Sequence, residues 1–135
     1  MSIQTIIAAL VEIQSGLPDV ENAFEYLPES VSALPCFVNY PIRGEISELT
    51  NCESESVHVI GCDYLISRGN ISSAEEQARP MIENFSSALL SDSTLGGTCL
   101  TAFASPLRYE YIVSDYGAQK VLIVSFVVTI KEVNQ

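Results

Sequence analysis

The chain has 135 residues, and its 17 acidic side chains outnumber its 6 basic ones, which gives a net charge of −11. Apolar residues make up 47% of the sequence, so an intrinsically disordered protein is excluded. Because affinity for duplex DNA comes largely from Lys and Arg on phosphates, the charge disfavours a protein that grips nucleic acid. DNA that slides past such a surface without binding is compatible with the same charge.

A chain of this length is expected to form one domain, residues 1–135, with a core that needs no metal or disulfide. None of the cysteines forms a C-x-x-C pair, and we expect reduced, mostly buried thiols without zinc. They are Cys36, Cys52, Cys62 and Cys99. The first residues carry no basic segment typical of a secretory signal, and the longest apolar run, 121–130, is too short to span a bilayer. We therefore expect no membrane partner and no cofactor.

Two helices are predicted. Apolar residues recur at helical spacing from Ile3 to Ser15, with Ser2 as a candidate N-cap and Gly16 and Pro18 as stop signals. A second helix over residues 73–90 follows a capping box that begins at Ser72. Its apolar register continues across Pro80, so we expect a kinked helix rather than a break.

The remaining apolar segments predict strands. Residues 20–26, 36–40, 55–67, 98–104, 107–113 and 119–132 are expected to be extended. We expect Pro41 to close the second of these, and residues 42–54 to form a long flexible loop or a floppy hairpin. Tight turns are predicted at Gly96-Gly97 and at Asp115-Tyr116-Gly117.

The strand over 55–67 carries apolar residues on both faces, as a central strand or one packed against a neighbouring subunit does. His58, Ile60, Cys62, Tyr64 and Ile66 share one face, whereas Val57, Val59 and Leu65 share the other. The order helix, strands, helix, strands predicts an α+β fold, with a mainly antiparallel sheet and both helices on one face.

Residues that carry chemistry are sparse. There is no Gly-rich phosphate loop and no G-x-S-x-G motif, and the single histidine, His58, sits in the middle of a predicted strand. We expect no catalytic, cofactor or metal site. Asp63 lies inside an apolar strand, where it either pairs with Arg43 or Arg68, guards a sheet edge, or lies at a subunit boundary.

The order of motifs resembles the tail terminator and tail-completion proteins of tailed bacteriophages. An amphipathic helix followed by Leu17-Pro18 resembles the start of these proteins, and the similarity continues over nearly the whole chain. The later matching segments are Tyr26-Leu27-Pro28-Glu29-Ser30, Leu34-Pro35-Cys36-Phe37-Val38, the helix 74–82, Thr94-Leu95-Gly96-Gly97-Thr98 and Tyr116-Gly117. The helix containing Ala78-Arg79-Pro80, followed by Leu95-Gly96-Gly97-Thr98, is the most specific pairing.

The resemblance implies a non-enzymatic virion protein, assembled in the host cytoplasm and located in the neck of the tail. Such proteins form a ring, usually a hexamer, that ends tail-tube polymerisation and docks to the head connector. The implied partners are sister copies, the tube protein and the connector protein, with DNA passing through the lumen unbound. We place the interface hypothesis at Arg43, Glu45, Glu48, Asp63, Val124 and Val128.

Two alternatives remain open at this stage. One is another neck, connector or tail-tube-like component, which would also be an assembly protein. The other, from a different class, is a small α+β module that binds a ligand or peptide. An enzyme is the least favoured possibility.

Overall fold

The computed structural model describes residues 3–28, 34–50, 52–69, 71–116 and 119–134. In chain order the elements are α1 (Ile3–Ser15), β1 (Asn22–Phe24), β2 (Cys36–Glu48), β3 (Ser54–Ser67), α2 (Ile71–Ser91), β4 (Arg108–Tyr116) and β5 (Gln119–Asn134). The predicted cap Ser2 and the predicted turn residue Gly117 lie outside the described residues, as do Glu29 and Ser30 of the segment that resembles tail terminators.

The strands form one sheet in the order β1-β2-β3-β5-β4. Only the short pairing of β1 with β2 is parallel, and the other pairings are antiparallel. Strand β3 is central, with β5 paired along its full length on one side and β2 along most of it on the other. The α+β prediction, with a mainly antiparallel sheet in a single domain, is confirmed.

Both helices pack on one face of this sheet, as predicted. The apolar stripe of α1 and that of α2 bury side chains such as Leu10 and Phe85 in a shared core. The predicted alternation along β3 is confirmed, because Ile60 and Tyr64 point into this core. Aromatic rings fill its centre, with the ring centroids of Phe85 and Phe126 4.8 Å apart in an edge-to-face arrangement.

A buried amide pair fixes α1 against β2. Gln14 and Asn39 are both buried, and their side-chain amides exchange hydrogen bonds of 2.7 and 2.8 Å. Asn39 Nδ2 also donates to the backbone oxygen of Phe24 at 3.0 Å, which ties in β1. Since buried polar groups without partners are costly, this reciprocal pairing favours one placement of the helix on the sheet.

The opposite face of the sheet, which we call the outer face, carries a smaller apolar cluster. Cys36, Val38 and Leu65 are at most 1% exposed there, under the partly buried residues Phe24 and Leu34. This cluster explains why β2 and β3 are apolar on both faces at the end of the sheet where β1 lies beside β2.

Of the two predictions for residues 42–54, the hairpin is correct and the long loop is wrong. Strand β2 continues to Glu48 and β3 begins at Ser54, and the two strands pair up to these ends. Pro41 does not end the strand, because the register shifts between Pro41 and Arg43, and a bulge accommodates a residue that has no N–H to donate. We call β2 residues 42–48 the arm; all of them are solvent-exposed.

Two further segments differ from expectation. Helix α2 begins at Ile71, so Ser72 lies in its first turn instead of capping it, and the helix does run through Pro80 as predicted. Residues 98–104 are not a strand. They make only isolated bridges to β5, at Thr101 and Phe103, after the predicted turn in which Gly96 and Gly97 adopt positive φ values of 68° and 85°.

Gly61 lets a neighbouring side chain lie close against the sheet backbone. It faces Tyr40 across the β2–β3 ladder on the outer face, and the phenol ring lies over its Cα. A Cβ at this position would come within 2.5 Å of a ring carbon of Tyr40. Only glycine therefore leaves room for this ring.

We expect Gly61→Ala to lower the free energy of unfolding by about 1–3 kcal/mol, since the methyl group would push the Tyr40 ring away from the sheet. Chemical denaturation measures the change. Gly69→Ala is the matched control, because nothing lies within 4 Å of a Cβ at Gly69. The cost at Gly61 should shrink in a Tyr40→Ala background; an equal cost in both backgrounds would contradict the steric explanation.

Candidate functional site

The outer face carries a polar centre at Asp63. Its carboxylate accepts hydrogen bonds from the Tyr40 hydroxyl (3.0 Å) and from the Ser125 hydroxyl (2.7 Å). These donors come from the two strands that flank β3, so the register of β2, β3 and β5 brings the three residues together.

The predicted partners and the predicted edge position of Asp63 are wrong. Arg68 pairs instead with Asp115, with 3.4 Å between Nη2 and Oδ1, and Arg43 lies on the arm, away from Asp63 in the ladder. Strand β3 is central, so Asp63 does not guard an edge of the sheet. A role at a subunit boundary stays a prediction.

Burial dominates the electrostatics of this centre. It raises the pKa of the Asp63 carboxyl above its ordinary value of 3.8, although the hydrogen bonds from Ser125 and Tyr40 oppose the shift, and the charge of Glu110 adds to it. Burial, followed by the charge of Asp63, raises the pKa of Tyr40 to about 12. The phenol therefore stays protonated and acts as a donor to the carboxylate.

Val124 and Val128 do not lie at an interface. Both are 0% exposed, and they point from β5 into the core beneath the helices. The interface prediction for these residues failed because β5 is apolar on both faces. Apolarity alone does not show which face is covered by other parts of the same chain. These two residues are removed from the interface hypothesis.

The charged residues Arg43, Glu45 and Glu48 lie along the exposed arm. Arg43 and Glu45 pair with Val59 and Val57 of β3, so both side chains stand on the outer face. Together with residues that include 105 and 129 they line a shallow pocket of about 300 Å³. Exposed apolar side chains at positions 42 and 46 interrupt the charges.

Sequence reasoning missed the exposure of β4. This strand is the last in the sheet, and residues 108–113 are exposed. Its large exposed apolar residues are Tyr109, Tyr111, Ile112 and Val113. Tyr109, Tyr111 and Val113 share one face of the strand, and this face is incompletely covered at this end of the sheet.

A second cluster of titratable residues lies at the far end of the sheet. His58 Nε2 is 3.0 Å from Glu132 Oε1, and their side chains are 12% and 4% exposed. Glu132 also lines a shallow pocket of about 220 Å³ beside Cys99. Burial, with the charges of Glu132 and Asp92, raises the pKa of the Cys99 thiol to about 11, so it is protonated at neutral pH and a poor nucleophile.

The other cysteines differ in exposure. Burial raises the pKa of Cys36 to about 11 and that of Cys62 still further, whereas Cys52 is exposed. Within residues 3–28, 34–50, 52–69, 71–116 and 119–134, no three His, Cys, Asp or Glu side chains gather as metal ligands. Over the same ranges, neither helix combines the length and apolarity that a bilayer crossing requires.

Comparison with known proteins does not identify a relative. A scan against protein-family models found no match, and a search of curated proteins found no significant similarity.

We expect the stability of the Asp63→Asn variant, relative to wild type, to rise as the pH increases above the ordinary pKa of 3.8 and through the raised pKa of the folded state. A folded-state pKa above the unfolded value means that the folded chain holds its proton longer, so ionisation of Asp63 lowers wild-type stability as pH rises through this window. Denaturation curves across the pH range test this. Glu12→Gln, at an exposed carboxylate of α1, is the control; a constant difference between Asp63→Asn and wild type would count against the assignment.

We expect Val124→Asp to abolish folding, because a charge at a fully buried position has no partner. The loss should exceed about 4 kcal/mol, which is beyond the usual range for single substitutions. Val133→Asp, on the same strand but 36% exposed, is the matched control and should keep the wild-type circular dichroism spectrum. A folded Val124→Asp protein with altered association would instead return this residue to the interface.

Proposed function

We propose that this chain is a structural virion protein of a tailed bacteriophage. Copies of it form a ring, hexameric in most members of the family that it resembles, at the head-proximal end of the tail tube. The ring ends tube polymerisation, docks to the connector of the head, and lets DNA pass through its centre. The proposal rests on the order of sequence motifs and on the surfaces that the fold leaves uncovered.

The observation that carries the proposal is the open sheet. One outermost strand, β4, is nine residues long, and its far edge pairs with no other strand of the described chain. On the other side, β1 pairs only with residues 36–38 of β2, so the edge of the arm has no neighbour among the described residues. Exposed, unpaired edges with apolar side chains are normally protected in monomeric proteins. Two different edges on one protomer suit a closed head-to-tail assembly.

The charge of the chain supports the same function. A ring through which DNA moves should not hold its phosphates, and a net charge of −11 per copy opposes such binding. The arm contributes Glu45 and Glu48 to the exposed acidic surface. Salt screens these charges over about 8 Å under physiological conditions, so they act on DNA only at close range.

We expect purified protein to elute as a discrete oligomer in size-exclusion chromatography with light scattering, and to appear as rings in negative-stain micrographs. Adding the protein to polymerising tail-tube protein from the same phage should give shorter tubes with one capped end, with tube protein alone as the control. A monomer that leaves tube length unchanged, and whose melting temperature rises with a small ligand, would favour the ligand-binding alternative.

A further inference from the structure

The two open edges of the sheet have the correct relative direction to pair with each other in a ring of copies. Setting β1 aside, the strands β2, β3, β5 and β4 alternate in direction, because each neighbouring pair is antiparallel. Suppose that neighbouring copies are related by a rotation about an axis parallel to the strands. Strand directions are then the same in every copy, so β4 of one copy runs antiparallel to β2 of the next. The ladder pattern is then unbroken across the subunit boundary.

The faces of the two edges also correspond. Arg108 and Glu110 are paired with residues 127 and 125 of β5, so they stand on the outer face. Arg43 and Glu45 of the arm stand on the same face. In an antiparallel register that sets Arg43 opposite Glu110, Glu45 falls opposite Arg108. Both cross-strand pairs then have opposite charges, which stabilise such a pairing.

Neighbouring registers lack this complementarity. Side chains of a strand alternate between faces with a period of 2. An alternative register that keeps the outer-face side chains of both strands on the same side is therefore shifted by two residues from the one above. A shift in one direction places Arg43 opposite Arg108, and the shift in the other direction places Glu45 opposite Glu110. Like charges directly opposite each other are destabilising, so the charge pattern selects one register of the three.

The same edges also carry exposed apolar residues. Ile46 of the arm is 76% exposed, and Tyr111 of β4 is 39% exposed. Ile46 pairs with Ser56 and Tyr111 pairs with Val124, so both stand on the face opposite the charges. Pairing the edges would reduce their exposure and would supply partners for the outward backbone groups of both strands.

We infer that the arm, residues 42–48, and the exposed edge of β4 form the contact between copies of this chain, in the register that joins Arg43 to Glu110 and Glu45 to Arg108. This inference rests on the ring of the proposed function, but it does not depend on the tube or connector as partners. Each protomer contributes one edge to each neighbour, so the contact is heterologous and can close into a ring.

Charge reversal tests the register. Arg43→Glu and Glu110→Arg each place like charges opposite each other at every contact, and each should raise the concentration needed for assembly by about tenfold or more. The chain that carries both reversals restores the pair and should assemble like wild type. Glu12→Arg, at an exposed position of α1, is the control for the gain of positive charge in Glu110→Arg. Circular dichroism checks that each variant is folded.

Mixing the two single variants gives the sharper test. In an alternating ring, one contact pairs the native Arg43 with the native Glu110. The next contact pairs the two substituted side chains, a glutamate at position 43 and an arginine at position 110, so both contacts are complementary. Two proteins that are monomeric alone should therefore form a ring together, with an even number of subunits by native mass spectrometry.

Two results would overturn the inference, and they are distinguishable. Rings that are indifferent to both single reversals would overturn the edge contact but leave the ring of the proposed function intact. A wild-type chain that stays monomeric up to its solubility limit would overturn both.

Discussion

The ladder around β3 determines which side chains of the sheet face the helices and which stand on the outer face. This strand pairs along its whole length with β5 and, from Ser54 to Leu65, with β2. One of its faces lies under both helices and the other on the outer face, so Tyr64 and Asp63, adjacent in sequence, enter two different environments. Tyr64 is fully buried and donates to the backbone oxygen of Asp19 at 2.7 Å, whereas Asp63 anchors the polar centre of the outer face. A register slip of one residue would exchange these environments, which makes the register costly to change.

The parts of the fold that the sequence predicts are those with a clear period and one covered face. The stripe of α1 recurs at helical spacing, and β3 alternates, so both were predicted with the correct faces. The sequence does not decide between a loop and a hairpin at the arm, because residues 42–48 are all exposed and lack the pattern that reveals a half-buried strand. The sequence of polar residues after Pro41 is typical of a loop, although the backbone of residues 43–48 pairs with β3.

The candidate site was predicted less completely, because its geometry depends on which strands are neighbours. Asp63 was singled out as an unusual acid, but its donors, Tyr40 and Ser125, are 23 and 62 residues away in the sequence. Val124 was assigned to the interface because β5 is apolar on both faces; only the packing of α2 shows which face the chain covers itself. The charged residues of the arm remain candidate interface residues. Strand β4 is a further candidate, because the strand order puts it at the edge of the sheet.

A protein with two long open edges has to avoid indiscriminate aggregation, which charged side chains on edge strands oppose. Here each edge carries both signs, Arg43 then Glu45 on the arm and Arg108 then Glu110 on β4. This pattern opposes shifted pairings of the arm with β4, and the net charge of −11 adds a general repulsion that only a matched set of contacts overcomes. The bulge between Pro41 and Arg43 limits the matched stretch further, because the alternation of faces breaks there. Specificity for one neighbour would thus come from a few exposed charges on a regular ladder, without any pocket or reactive group.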